Sequence, residues 1–415
     1  MTTNTVLLEE NPVQVETLID LEAIDALRTE WEALHASCPD ADLFTTHGWV
    51  MSWIASFGER KALRIVTVRD HGTLIGLTPL VWTAIWRRPW FSLHHIHPED
   101  RRFIPFTQRL GCVMPVRQLS VAANMQSGTI RGGSLCFPGS AERVLRATWT
   151  HLRGHRDWDV ACLPGLRHEE QSVLVSALCE SGLRVGANEA TCTLFGFPVL
   201  PWETYYAGRR RHFRKRFKAA ERILLSLGTP TFETATEPGR VATLVEEMYE
   251  LAKQSWKETG RNAREVHLPL TVEAMVFYRA LSVRYAEQER CPLVTVWLDG
   301  ILVAAMLCVV EGDQLYLLQT YYSPRVAEAS PGRFLIREIV QWAADHGVKH
   351  IDMNGNSGLV QMFADTAQVY DQAVIFQTSG YSGWLYRVGR LVQWLKQFRS
   401  GSKAKVVDRE HEAEG

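Results

Sequence analysis

The chain has 415 residues, of which 46% are hydrophobic and 22% charged, and a formal net charge of −1. The length exceeds what one core usually supports, and the composition is that of an ordinary globular protein, so two domains are expected. The balanced charge argues against a general binder of double-stranded nucleic acid, which carries a basic excess.

Residues 1 to about 15 carry no apolar periodicity. Leu21, Ile24, Leu27, Trp31 and Leu34 then recur at three- and four-residue spacing, which predicts a helix over Leu18–Ala36. Thr46 is placed to cap a second helix with Trp49, Trp53 and Phe57 on one face. Leu63–Asp70 and Thr73–Trp82 read as two strands joined at Gly72. From Trp86 to Gly139 the chain reads as irregular. His94-His95-Ile96-His97-Pro98 in that stretch lacks metal-ligand spacing and reads as a solvated loop, and no metal is expected. Helices follow at Ala141–His155 and Glu170–Glu180, with strands at Trp158–Pro164 and Thr191–Phe195.

The second half opens on Arg209-Arg-Arg-His-Phe-Arg-Lys-Arg-Phe-Lys218. Phe213, Phe217, Ala220 and Leu224 share one helical face, and the basic side chains form either a solvated surface or a clamp for an anion. Helices at Val241–Trp256 and Val272–Glu287 flank a loop at Thr259–Pro269. Pro292 to Asn356 then reads as three strands, a helix and a fourth strand. Asp299-Gly300 turns the first two strands, and Ser330-Pro331-Gly332 opens the helix. Val66, Val68, Gly72, Leu74 and Leu77 lie at a constant offset of 228 residues from Val294, Val296, Gly300, Leu302 and Ala305, which indicates an internal repeat. Val369–Phe376 is a further strand. Trp384–Phe398 is an amphipathic basic helix that either packs on the core or touches an anionic membrane surface, and a charged tail follows.

Eight cysteines without a Cys-x-x-Cys pair suit a reducing compartment. No basic region followed by an apolar core opens the chain, and the longest apolar run is about half a membrane span, so a cytoplasmic location is expected. Fourteen tryptophans fit either large cores or an aromatic groove for sugars.

The order of these elements resembles the GNAT acyltransferase superfamily. More narrowly it is similar to the CelD-like (cellulose-biosynthesis-type) acetyltransferases, which have tandem GNAT-like domains related to the Fem-type transferases. The resemblance runs from about Leu18 to Phe376. It rests on Leu43-Phe-Thr-Thr-His-Gly-Trp-Val-Met-Ser-Trp53, the hairpin at Gly72, the basic segment Arg209–Arg222, the hairpin at Gly300, Tyr321-Tyr322, Ser330-Pro331-Gly332 and His350-Ile-Asp-Met353. It implies an α/β (α+β) fold of two domains, residues 1–197 and 198–380, each a mixed, mostly antiparallel sheet flanked by helices, with a helix and disordered tail over residues 381–415. Two departures stand out. Arg325-Val-Ala-Glu-Ala-Ser-Pro-Gly332 replaces the glycine-rich phosphate loop of many GNAT enzymes, and Gln361 stands where the CelD-like group has a lysine.

The implied chemistry is acyl transfer from acetyl-CoA or another acyl-CoA to an amine or hydroxyl of a small-molecule or glycan acceptor, linked to polysaccharide or cell-envelope metabolism. Strand residues Gln319 and Thr320 would pair with the pantetheine amides, with Ser330 at the turn. The N–H groups of Gly332, Arg333 and Phe334 would hold the pyrophosphate. Asp352 is the candidate base, and Tyr321 or Tyr322 the donor to the leaving thiolate. The alternatives are aminoacyl transfer from aminoacyl-tRNA, with the basic helix meeting RNA, and a non-catalytic partner of a polysaccharide synthesis machine docked on a membrane through residues 384–399.

Overall fold

In the computed structural model the described residues are 13–58, 62–87, 114–124, 126–129, 131–186, 189–254, 271–391 and 394. The His94–His97 loop, the loop at 259–269 and the charged tail lie outside them. The first half begins with β1 (Gln14–Leu18) and helices α1 (Leu21–Ala26), α2 (Arg28–Ser37) and α3 (His47–Phe57). Strands β2 (Ala62–Asp70), β3 (Thr73–Arg87), β4 (Met114–Val121) and β5 (Leu135–Cys136) follow. Then come α4 (Ala141–Gly154), β6 (Val160–Arg167), α5 (His168–Glu180), β7 (Arg184–Val185) and β8 (Glu189–Pro198).

The second half runs through α6 (Trp202–Gly208), α7 (Arg211–Leu227), β9 (Pro230–Ala235), α8 (Pro238–Lys253) and α9 (Val272–Ala286). Its hairpins are β10 (Leu293–Leu298), β11 (Ile301–Glu311) and β12 (Gln314–Tyr322). It ends with α10 (Gly332–Asp345), β13 (His350–Asp352), α11 (Gly358–Phe363) and β14 (Thr366–Phe376), followed by α12 at 380–391.

The expected repeat is visible as geometry. His71-Gly72 and Asp299-Gly300 both turn with positive φ, a conformation glycine adopts without steric cost. Both hairpins slip register at the same place, between Val68 and Arg69 and between Val296 and Trp297, again 228 residues apart. All the strands join one sheet in the order β1-β2-β3-β4-β6-β14-β8-β13-β12-β11-β10-β9, with β5 beside β3 and β7 beside β14. The order is the same read from either end, with β2 matching β10, β4 matching β12 and β6 matching β13.

At its centre the halves exchange strands. β14, from the second half, pairs antiparallel with β6 of the first, and β8, from the first half, pairs antiparallel with β13 of the second. Equivalent helices α3 and α9 pack on each other beside this seam. Trp49 and Phe57 meet Phe277 at centroid distances of 5.0 and 5.6 Å, and Thr46 Oγ1 lies 2.9 Å from Tyr285 Oη. Trp31, Trp49, Trp53, Trp149 and Trp158 are fully buried, so these tryptophans build core.

Two expectations change and one holds. The helix over Leu18–Ala36 begins only at Leu21, because Leu18 is already paired with Ile65 at the sheet edge and Asp20 caps the helix by accepting from Ala23 N, and it is broken into two at Leu27. The irregular stretch before Gly139 contains β4 and β5. Helix α7 buries the four residues expected to face inward, Phe213, Phe217, Ala220 and Leu224.

Candidate functional site

Parallel strands β12 and β13 pair only over Gln314–Tyr316 and His350–Asp352. Beyond that point β12 follows β11, whereas the chain after Asp352 stays with β8, Met353 N donating to Phe195 O at 2.9 Å. The strands therefore part, as a strand pair must when each keeps a different outer neighbour. Within the opening, β12 absorbs an extra residue. Leu307 faces Gln319 and Cys308 faces Leu317, which leaves Leu318 as a bulge. The bulge resets the side-chain alternation, so Gln319 and Tyr321 point to the same face as Tyr316.

Gln319 and Tyr321 lie in a buried chain of hydrogen bonds. Tyr321 Oη donates to Gln319 Oε1 at 3.0 Å, Gln319 Nε2 donates to Tyr278 Oη at 2.6 Å, and Tyr278 donates to Ser127 O at 2.8 Å. Burial pushes the Tyr278 phenol well above its ordinary pKa. Thr320 and Tyr322 are half-buried on the other face of β12.

Asp352 terminates β13, and both its oxygens are engaged. Oδ2 accepts from Arg131 Nη1 at 2.6 Å and from Gln314 Nε2 at 3.4 Å, and Oδ1 accepts from Asn354 N at 2.7 Å. Asn354 sits in the left-handed region at φ 44°, which asparagine tolerates. Arg131 was absent from the residues singled out in the sequence. Only 2% exposed, it also donates to Tyr370 Oη and Asn354 Oδ1, and its guanidinium carbon lies 4.2 Å from the Phe44 ring centroid. Burial works against its charge, but Asp352, Tyr370 and Asp42 outweigh that and hold it protonated. Arg131 arrives from an excursion, residues 122–134, that leaves β4 and returns as β5. The excursion also offers Gly128 O to Asn354 Nδ2 at 3.0 Å, so the first half lies across the inner mouth of the β12–β13 opening.

The outer rim is basic. Helix α7 packs beside the turn at Pro324–Ala329 that leads into α10. In the first turn of α10, Arg333 Nη1 donates to Arg216 O at 2.9 Å, and Arg333 Nε is buried without a partner. Burial, with the Arg216 charge second, lowers the Arg333 pKa. Arg210, Arg211, Lys215, Arg216, Lys218 and Arg222 stay exposed along α7. A buried guanidinium N–H beside like charge is a place that gains from an anion.

The start of α10 differs from an open phosphate cradle. Arg333 N and Phe334 N donate to the carbonyls of Ser330 and Pro331 at 3.0 Å. Ser330 turns the chain in the left-handed region. A Cβ on Gly332 would lie 2.7 Å from Leu359 Cδ2, so α11 lies against the helix start and a larger residue there would make the Leu359 side chain shift. Gln361, on α11, donates to Asn356 O at 2.8 Å.

The structure thus brings Gln319 and Tyr321 into one buried network and Asp352 into another. Ser330, Gly332, Arg333 and Phe334 gather at the α10 start. In α12, Leu385 is buried, whereas Trp384 and Leu391 are exposed, as is Trp394 beyond it. Among the described residues no helix is long and apolar enough to cross a membrane.

Residues 211–358 match the family model described as an acetyltransferase (GNAT) domain. No curated protein matches the sequence. Among solved structures, FemX superposes with a TM-score of 0.55 at 12% identity, over 83% of this chain and 95% of that one. A conserved protein of unknown function from Bacteroides thetaiotaomicron VPI-5482 does so at 0.50 and 10% identity, over 88% and 100%. At such identities the likeness is one of fold. The chain is an α/β protein with a large mixed sheet flanked by helices, and its fold is that of GNAT-type acyltransferases.

Proposed function

We propose that the second half transfers an acyl group from acyl-CoA, acetyl-CoA being the first donor to test, to an amine or hydroxyl. The observation that carries this reading is the opening between β12 and β13, with the Arg333–Arg216 pair at its outer rim. The edge of β12 near Gln319 and Thr320 suits pantetheine amides. The guanidinium of Arg333, more than the backbone amides of Arg333 and Phe334, suits the diphosphate, since those amides are taken up within the turn. The bulge at Leu318 releases a backbone amide from ladder duty, the kind of donor a developing oxyanion needs.

Asp352 is the base candidate by position. With both oxygens occupied, it accepts a proton only when Arg131 yields or an acceptor amine displaces Gln314 Nε2. Of the two tyrosines, half-buried Tyr322 suits thiolate protonation better than Tyr321, whose hydroxyl is given to Gln319. A CelD-like role in polysaccharide or envelope metabolism remains part of the reading, as does contact of Trp384, Leu391 and Arg387 with an anionic membrane.

The test is calorimetry with acetyl-CoA. Binding that weakens at least about tenfold in Arg333→Ala supports the donor site. Absence of binding by folded protein sinks it. The exposed basic face of α7 favours one alternative, an aminoacyl-tRNA donor. In that case binding to tRNA falls steeply with salt, and Lys215→Ala with Arg222→Ala reduces the slope.

A further inference from the structure

At the end of the sheet formed by β1, the strand lies against α4. His151 stands in the last turn of α4, and His155, four positions on, is the residue that caps it. That spacing brings two side chains to one face of a helix. The two ring centroids are 4.7 Å apart but the Nε2 atoms only 3.2 Å, so both nitrogens occupy the facing edges of the rings. Thr17 of β1 brings a third polar atom, its Oγ1 lying 2.9 Å from His151 Nε2. His151 and Thr17 are half-buried, and His155 is exposed.

Protons alone serve this trio poorly. If His151 Nε2 carries the proton, it has one hydrogen to give and two neighbours to receive it. If it does not, its single in-plane lone pair faces two donors. Either way one of the two contacts is weak. A metal ion takes a lone pair from each atom and removes the conflict. The dimension agrees as well. With metal–nitrogen bonds of about 2.0–2.1 Å, imidazole nitrogens at the observed separation subtend about 100° at the metal, between the octahedral and tetrahedral angles. Among the described residues no group of three or more His, Cys, Asp or Glu converges, so the remaining coordination positions belong to water. Two imidazoles and a hydroxyl carry no negative charge. Such a set suits late first-row divalent ions and is a poor match for Mg²⁺ or Ca²⁺, which favour carboxylate oxygen.

We propose that His151, His155 and Thr17 bind a divalent transition-metal ion of the Zn²⁺ or Ni²⁺ kind, and that the ion staples β1 to α4. Strand β1 is five residues long, incompletely buried and paired on one side only, with β2, so a link to the helix behind it holds an otherwise weak edge. The site lies in the first half and depends on neither the donor nor the acceptor of the acyl-transfer reading.

The test follows amide exchange of the full chain as ZnCl2 is added at about pH 7.5, where imidazole is largely neutral. The chain has 14 histidines, so the readout must be local. Exchange over Gln14–Leu18 slows with Zn²⁺ and with Ni²⁺ but not with Mg²⁺, while the opposite edge strand, β9, is unaffected. His155→Gln, at an exposed position, leaves melting without metal unchanged and moves the Zn²⁺ midpoint up at least about tenfold. His151→Gln does the same to the midpoint, and Thr17→Val moves it less. Failure of Zn²⁺ to slow exchange in β1, or the same midpoint in the unmodified protein and both histidine variants, overturns the proposal.

Discussion

Where Leu307 and Cys308 of β11 meet β12, the ladder absorbs one extra residue, Leu318. At the corresponding place of the first half, between Leu77 and Leu80 of β3, the ladder absorbs the whole segment 122–134, pairing Val121 on one side and Leu135 on the other. One frame thus carries a bulge in one copy and an excursion in the other. The excursion crosses the seam, buries Arg131 against Asp352 and lies over the mouth of its neighbour's slot. Its departure leaves the first half's own slot as an acid-lined cavity. A local insertion in one repeat therefore touches both sites at once, crossing the inner mouth of one and lining the cavity of the other.

The strongest way to break this comparison is to remove what ties the slots together. Arg131→Ala leaves Asp352 and Asn354 facing each other without a cation and should cost about 3–5 kcal/mol in urea unfolding. Arg131→Lys restores charge without the fork and recovers part of that loss. A cost below about 1 kcal/mol for Arg131→Ala would mean the seam does not depend on this pair.

Next in size is the contrast between helix starts. Gly332→Val drives a side chain into Leu359 and should cost about 1–3 kcal/mol, partly recovered by Leu359→Ala. Ala141→Val, on the wall of the open cavity, should change stability by less than about 0.5 kcal/mol. Equal melting shifts for the two would remove the distinction between a covered and an open slot.

Acid stability probes the helix pair beside the seam. His47 is buried, its nitrogens make no hydrogen bond, and burial lowers its pKa, with Asp25 at 3.6 Å opposing. The unfolded chain takes up the proton first, so stability should fall as pH drops below about 6.5, by at most about 1.4 kcal/mol per pH unit. His47→Phe should flatten that slope, and an unchanged slope would assign it elsewhere.

The smallest effect is kinetic. Burial pushes the Cys136 thiol up to about 12, whereas Cys179 is exposed. Alkylation at neutral pH should reach Cys179 well before Cys136. Comparable rates would show that the cavity wall opens readily.

Much of the frame was legible beforehand. Turn glycines at 72 and 300, the capping Thr46 and the inward face of α7 all act through neighbours a few residues away, which is the range over which spacing carries information. The offset of 228 also relates the register slips that the structure shows in the two hairpins. The sites were less legible. Arg131 stands in a stretch rich in Gly and Ser with no periodicity, and its meaning comes from Asp352, 221 positions on. The four carboxylates of the acidic cavity come from two distant stretches, Asp40 with Asp42 and Glu169 with Glu170, neither charged enough alone to stand out. Edge strands β1 and β9 escaped notice because each is short and only half-buried.

The exchanged strands have a consequence for how the molecule is made. As the ribosome delivers the first half, β6 emerges without the neighbour it needs, because that neighbour is Thr366–Phe376. At ~5–20 residues per second, the wait is on the order of ten seconds or more, with an unpaired edge exposed throughout. The native pairing is long-range in sequence, which slows its formation further. A nascent chain of this design has a built-in interval in which a chaperone, or a second nascent copy offering its own β14, competes for the vacant place.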